Sequence, residues 1–337
     1  MPQLPDPIAA LGAVLVAPMA GGPSTPALVV AAARAGAVAQ LAGGYLTADA
    51  LRAQIDEVRA AGVEAFGVNL FVPNPHPIAA ADYEAYARRI RPDAGEALPP
   101  LREDDDAWAE KLALVVEARV PVVSCTFGLP DAAALAALSA AGSAVLQTVT
   151  SAEEARAAEA AGVDGLVMQG WAAGGHSGVW AQGALPAEVP LEALVARVRA
   201  ATPLPIVAAG GVARREQVRA LLAGGADAVA IGTAALRAHE AGTGATHRAA
   251  LTDPAFERTA LTRAFTGRPA RALVNAFLER HDAQAPAGYP AIHHLTRPMR
   301  AAAAAAGDAS RLHLWAGEGW REAREAPIAE ILADLTP

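Results

Sequence analysis

The stretch EAAGVDGLVM at residues 159–168 reads as a helix end, a glycine stop, a short loop and an apolar strand. Gly162 sits where helices commonly close in the left-handed conformation, which glycine adopts without a Cβ penalty. The phrase recurs as RAAGVEAFGV at residues 59–68 and LAGGADAVAI at residues 222–231. The strand portions carry no polar alternation. Such strands are buried on both faces, as in a parallel sheet covered by helices.

Outward from these repeats, apolar runs at 14–17, 37–41, 65–70, 120–125, 144–148, 165–169, 205–209 and 228–231 predict eight strands. The second run is short, and the count of eight depends on it. Alanine-rich helical segments follow most of them, at 26–35, 47–61, 131–141, 152–161, 191–201 and 214–223. Ser24 or Thr25 can cap the first helix, and Gly62, Gly142 and Gly162 stop three others. Eight strands alternating with helices predict a closed (β/α)8 TIM barrel rather than an open doubly wound sheet.

Two regions exceed the minimal barrel. Residues 72–120, between the third and fourth strands, have Pro-rich ends, an acidic run at 103–106 and an amphipathic helix from Trp108. Residues 238–337 read as a broadly helical C-terminal extension. Neither is set off by linker composition, so residues 1–337 are expected to form a single domain with both regions as decorations.

Composition narrows the function. Hydrophobic residues are 53% of the 337 and charged residues 18%, enough for a large core and too few charges for disorder. The net charge of -8 and a single lysine, Lys111, argue against a nucleic-acid or anionic-membrane surface. Cys125 is the lone cysteine, which excludes an intrachain disulfide and any cysteine-based metal site. It reads as a core thiol with no activating base beside it. His293 and His294 are adjacent and diverge, no HExxH occurs, and no metal is expected. The amino terminus shows neither a basic n-region nor a long apolar core, so a soluble cytoplasmic protein is expected. Oligomeric state is left open.

The chemistry concentrates at predicted strand ends. QGWAAGGHSG, residues 169–178, follows the sixth strand. Gly174 and Gly175 allow close backbone approach to a flat ring or phosphate, and His176 suits general-base or proton-donor work. AAGGV at 208–212 and AIGTAAL at 230–236 end the seventh and eighth strands. Barrels use those two loops for phosphate, so Gly210, Gly211, Gly232 and Thr233 suggest an FMN-type phosphate site. VAPMAGG at 16–22 ends the first strand, where Met19 either lies against a flat ring or packs in the core. Asn69 and Gln169 are amides at strand ends that either tie loops together or recognise a ligand. His239 and His247 read as solvated helix positions. Tyr289, Trp315 and Trp320 read as packing residues of the extension.

With these motifs in order, the sequence resembles the nitronate monooxygenases, formerly called 2-nitropropane dioxygenases, of class I. The matching stretches are APMAGGPSTPAL at 17–28, FGVNLFVPNP at 66–75, VVSCTFGLP at 122–130, AGGHSG at 173–178, AAGGV at 208–212, HHLTRPMR at 293–300 and LWAGEGW at 314–320. The resemblance implies FMN contacted by Met19, Asn69, Gln169, Gly174, Gly211, Gly232 and Thr233, with Gly175 and Gly210 nearby. It places His176 on the catalytic histidine. It implies oxidation of alkyl nitronates such as propionate 3-nitronate with O2 to a carbonyl compound and nitrite, a detoxification. Departures lie beside the histidine: Trp171 and Ala172 where an acidic residue is usual, and Ser177 where an arginine often follows. Glu318 and Trp320 stand where glutamine and an aromatic are expected. Two alternatives remain: an FMN-dependent NAD(P)H reductase of quinones or enoyl thioesters, and a non-catalytic barrel binding a phosphorylated ligand.

Overall fold

The computed structural model describes residues 12–95 and 98–337. The amino-terminal segment, read above as lacking a secretion signal, lies outside them. Among the described residues eleven strands occur: β1 (Val14–Val16), β2 (Gln40–Ala42), β3 (Gly67–Phe71), β4 (Val122–Thr126), β5 (Ala144–Val149), β6 (Gly165–Gln169), β7 (Gly175–His176), β8 (Ile206–Ala209), β9 (Ala228–Ile231), β10 (Thr259–Thr262) and β11 (Ala270–Leu273).

All except β7, β10 and β11 form one parallel sheet in the order β1-β9-β8-β6-β5-β4-β3-β2. A parallel bridge between Val16 and Ala39, with the Val16 N–H donating to Val38 O at 2.9 Å, brings the two ends together. This is the (β/α)8 barrel, and each of its strands overlaps a predicted run.

Strand alternation divides the core in two. Leu15, Val122, Leu146, Val207 and Ala230 form an inner cluster, while Val14, Val68, Val123 and Val229 join the larger core shared with the helices. Helix termini follow local chemistry. Thr25 Oγ1 accepts from Leu28 N at 3.0 Å, so it caps the helix Pro26–Arg34. Ser151 caps Ala152–Ala161, which closes on Gly162 at φ +84°. Both devices satisfy terminal backbone groups that have no partner inside the helix.

The decorations pack on each other. Within the 72–120 insertion lie the expected helix Trp108–Glu117 and another, Ala80–Ala94. Tyr83, Tyr86 and Ile90 of the second share an apolar cluster with Phe265, Phe277 and Ile292 of the extension. The Tyr86 hydroxyl donates to Ala264 O at 2.6 Å.

The extension carries the helices Ala245–Ala250, Ala276–His281, Ala291–Ala305 and Ile328–Leu335. It also contains the antiparallel hairpin β10–β11, and β11 pairs with β7 so that Ala270 faces His176. ARAL has little intrinsic strand character, and its conformation comes from pairing with the nearby β10 and with β7, about 95 residues earlier in the chain. Among the described residues no helix is long and apolar enough to cross a membrane.

Candidate active site

The carboxyl ends of the barrel strands open into a cavity of about 340 Å³. This volume falls in the usual range for small-molecule sites. Met19, Asn69, Gln169, Gly174, Gly175, His176, Gly210, Gly211, Gly232 and Thr233 all line it. Residues up to 214 apart in sequence therefore meet because each lies at or just beyond the end of a parallel strand.

At the glycine turns after β8 and β9, the N–H groups of Gly210, Gly211, Gly232 and Thr233 find no acceptor among the described residues. Gly211 has φ +71°, where a side chain would be strained, and a Cβ there would lie 3.1 Å from the Ala172 Cβ. These free amides can hold an oxyanion. Gly174 is constrained by crowding: an added Cβ would stand 2.4 Å from Gly317 N and 2.7 Å from Thr233 Oγ1. Thr233 Oγ1 itself accepts from Gly317 N at 2.9 Å, which ties the extension to the strand-end loops.

Both amides tie elements together at the cavity wall. Asn69 Nδ2 donates to Ser124 Oγ at 2.8 Å and Thr126 Oγ1 at 3.0 Å, joining β3 to β4 while lining the cavity. Gln169 Nε2 donates to His176 O at 3.1 Å, and its Oε1 accepts from Gly178 N at 2.6 Å. The turn bearing His176 is thereby clamped to the end of β6.

His176 lies among Phe127, Tyr289 and Trp315, with ring centroids 5.7, 5.7 and 5.3 Å away. Its Nε2 is 2.9 Å from Thr266 Oγ1. Burial, reinforced by the charges of Arg268 and Arg300, pushes the imidazole down to about 3. Loss of the charged form follows because the enclosure removes water and neighbouring cations oppose a further positive charge. His176 is therefore neutral at physiological pH, and the positive field comes from the arginines.

Those arginines were not singled out from the sequence. Arg268 is fully buried, its guanidinium 4.0 Å above the Phe127 ring and Nη1 donating to Val179 O at 2.5 Å. Arg300 donates to His293 Nδ1 and His313 Nε2, each at 3.2 Å, and to Thr296 Oγ1 at 3.0 Å. Burial lowers both to about 10, so both stay cationic near neutrality. Among the described residues neither has a carboxylate within ion-pair distance, and no acidic side chain lines the cavity. Buried cations without counter-ions favour an anionic guest. The signal available in sequence was a pair of arginines in each of two short stretches, TGRPAR and TRPMR.

Other walls also escaped the sequence reading. Tyr45, Phe71, Phe127 and His313 line the cavity. Tyr45 stacks flat on His293 at 4.3 Å, and its backbone N–H donates to Asp106 Oδ1 at 2.8 Å. Lys111 Nζ in turn pairs with Asp106 at 2.7 Å. His247 is a cavity residue rather than a solvated helix position; burial lowers it to about 4, and Nε2 has no partner. Trp315 likewise faces the cavity rather than serving only as packing, whereas Trp320 is buried. Burial raises the Cys125 thiol to about 12, consistent with an inert core group.

Two of the departures, Trp171 and Glu318, meet at one arginine. The Arg271 guanidinium lies 4.3 Å over the Trp171 ring, donates through Nε to Trp171 O at 3.0 Å, and reaches Glu318 at 3.5 Å. Trp171 and Glu318 are thus two faces of one arginine site.

A family model described as nitronate monooxygenase matches residues 7–337. The chain belongs to the nitronate monooxygenase family. It is 38% identical over 338 residues to the nitronate monooxygenase of Pseudomonas aeruginosa, covering 96% of this chain and 94% of that one. Among solved structures, the nitroalkane oxidase of Streptomyces ansochromogenes superimposes with a TM-score of 0.91 at 46% identity, covering 97% and 95% of the two chains. FabK of Thermotoga maritima has a TM-score of 0.76 at 24% identity, covering 97% of this chain and 92% of that one, a likeness of fold alone. Membership in the nitronate monooxygenase family makes this chain an enzyme of the oxidoreductase class.

Proposed function

We propose that the barrel binds FMN and oxidises alkyl nitronates, of the propionate 3-nitronate type, with O2 to a carbonyl compound and nitrite. The observation that carries this reading is an anion-seeking cavity. The unpaired amides of Gly210, Gly211, Gly232 and Thr233 lie on the same wall system as His176, with buried Arg268 and Arg300 behind it.

In this reading the glycine turns hold the flavin phosphate, and Met19, Asn69, Gln169, Gly174 and Gly175 border the ring. Gly174 lets its turn pack against Gly317 and Thr233, where a Cβ would clash. Bound FMN would supply electron transfer and oxygen activation. Arg268 and Arg300 favour the nitronate anion by long-range attraction across a water-poor site. Phe127, Tyr289 and Trp315 exclude water and orient the guest. Neutral His176 can take an α-proton from a nitroalkane but contributes no charge of its own. Detoxification of nitronates is the biological role this chemistry suits.

The test is oxygen uptake and nitrite release by purified protein, with propionate 3-nitronate and NADH offered separately and the released flavin identified. Nitronate-dependent uptake with nitrite, FMN released and no NADH oxidation are expected. NADH oxidation, accelerated by a quinone and without nitronate turnover, would mean a reductase. A colourless inactive protein would mean a binding barrel.

A further inference from the structure

Three aromatic rings enclose the His176 imidazole, and among the described residues one polar atom lies within hydrogen-bond reach of it: Thr266 Oγ1, 2.9 Å from Nε2. Thr266 is 1% exposed, so water does not compete at the hydroxyl. A threonine hydroxyl has a single proton to give. The acceptor within reach other than Nε2 is Arg268 O, at 3.3 Å, and no other donor satisfies that carbonyl among the described residues. With the hydroxyl proton on Arg268 O, the imidazole donates from Nε2 and two hydrogen bonds form. With the hydroxyl proton on Nε2, one forms and a buried carbonyl is left empty. The first arrangement wins because an unsatisfied buried polar group costs more than a slightly long bond.

We infer that Thr266 is a positioning residue: it fixes the His176 proton on Nε2 and presents the Nδ1 lone pair to the α-carbon of a neutral nitroalkane. This inference rests on the function proposed above and extends it to a substrate that must first lose a proton. The α-C–H bond breaks, its electron pair stays on the substrate and spreads onto the nitro group, and the proton goes to Nδ1. The Nε2–H remains on Thr266 Oγ1 throughout, and the Nδ1 proton passes to solvent when product leaves. The nitronate formed is then the substrate of the oxidation itself. The backbone of His176 is already held by Gln169 and by β11, so the hydroxyl governs the ring and not the turn.

FMN-loaded wild type, Thr266→Val and Thr266→Ser are compared on nitroethane and on its preformed nitronate. The valine variant is expected to lose about tenfold in kcat on nitroethane, the effect of one hydrogen bond acting on the proton-transfer step, and under about twofold on the nitronate. The serine variant restores nitroethane turnover, and the valine variant shows a larger isotope effect with α-deuterated nitroethane. Independently of turnover, 15N spectra of histidine-labelled protein should show an unprotonated Nδ1 at His176 in the wild type and mixed tautomers in Thr266→Val. Equal losses on both substrates, a serine variant no better than valine, or a protonated Nδ1 in the wild type would overturn the inference. Absence of nitronate turnover by the wild type would instead overturn the reading on which it rests.

Discussion

Lowering the pH from 7 to 5 should destabilise this fold through histidines that are neutral when folded. His176 and His247 are held at about 3 and about 4 by burial, whereas an unfolded imidazole titrates near 6.5. The unfolded chain therefore binds protons first as the pH falls. The stability these groups contribute is fully present above about pH 6.5 and is lost progressively as the pH approaches the folded values. Integrated from pH 7 to 5, each group removes roughly 2 kcal/mol, about 4 kcal/mol for the pair. The figure barely depends on the folded values, because both lie below 5. His293 and His313 are also lowered by burial and act in the same direction, while Asp106 and Glu103, raised by burial, act against it. Urea unfolding followed by tryptophan fluorescence at both pH values, on wild type and His176→Asn/His247→Asn in the same flavin state, isolates the pair. The wild type should lose about 4 kcal/mol more than the double variant between the two pH values. Parallel losses in both proteins would refute the claim that these imidazoles fold uncharged.

Three further perturbations address the site. His176→Asn should keep its flavin yet lose most turnover of neutral nitroalkane, read by oxygen uptake; unchanged turnover would remove His176 from the chemistry. Gly211→Asp should abolish flavin retention, because it adds a carboxylate and a side chain at φ +71° beside the amides proposed to hold the flavin phosphate; normal 450 nm absorbance in the purified variant would refute that placement. Gly174→Ala should lower stability by about 2–4 kcal/mol through overpacking and loss of the Thr233–Gly317 hydrogen bond. A thermal midpoint equal to wild type would show that the two backbone segments can separate freely.

Much of the architecture was legible because it is local. Glycine stops, caps such as Thr25, and unbroken apolar runs are set within a few residues, and they predicted strands that overlap all eight of the barrel. That the ten residues expected at the site would line one cavity was legible for a related reason. In a parallel barrel every strand end faces the same mouth, so position along a strand predicts position at the site. The hairpin β10–β11 was not legible, since its strands are only four residues long and ARAL becomes a strand by pairing with β10 and with His176's own segment.

Sequence alone determined the barrel, the glycine turns and the histidine that stands at the end of one of them. Tertiary structure decided that histidine's state. Arg268, Arg300, Thr266 and Tyr289 are buried residues of the C-terminal extension, and with Trp315 they enclose His176, remove water and leave its ring neutral. Protonation is a property of the assembled environment, since desolvation and distant charges act through space rather than along the chain.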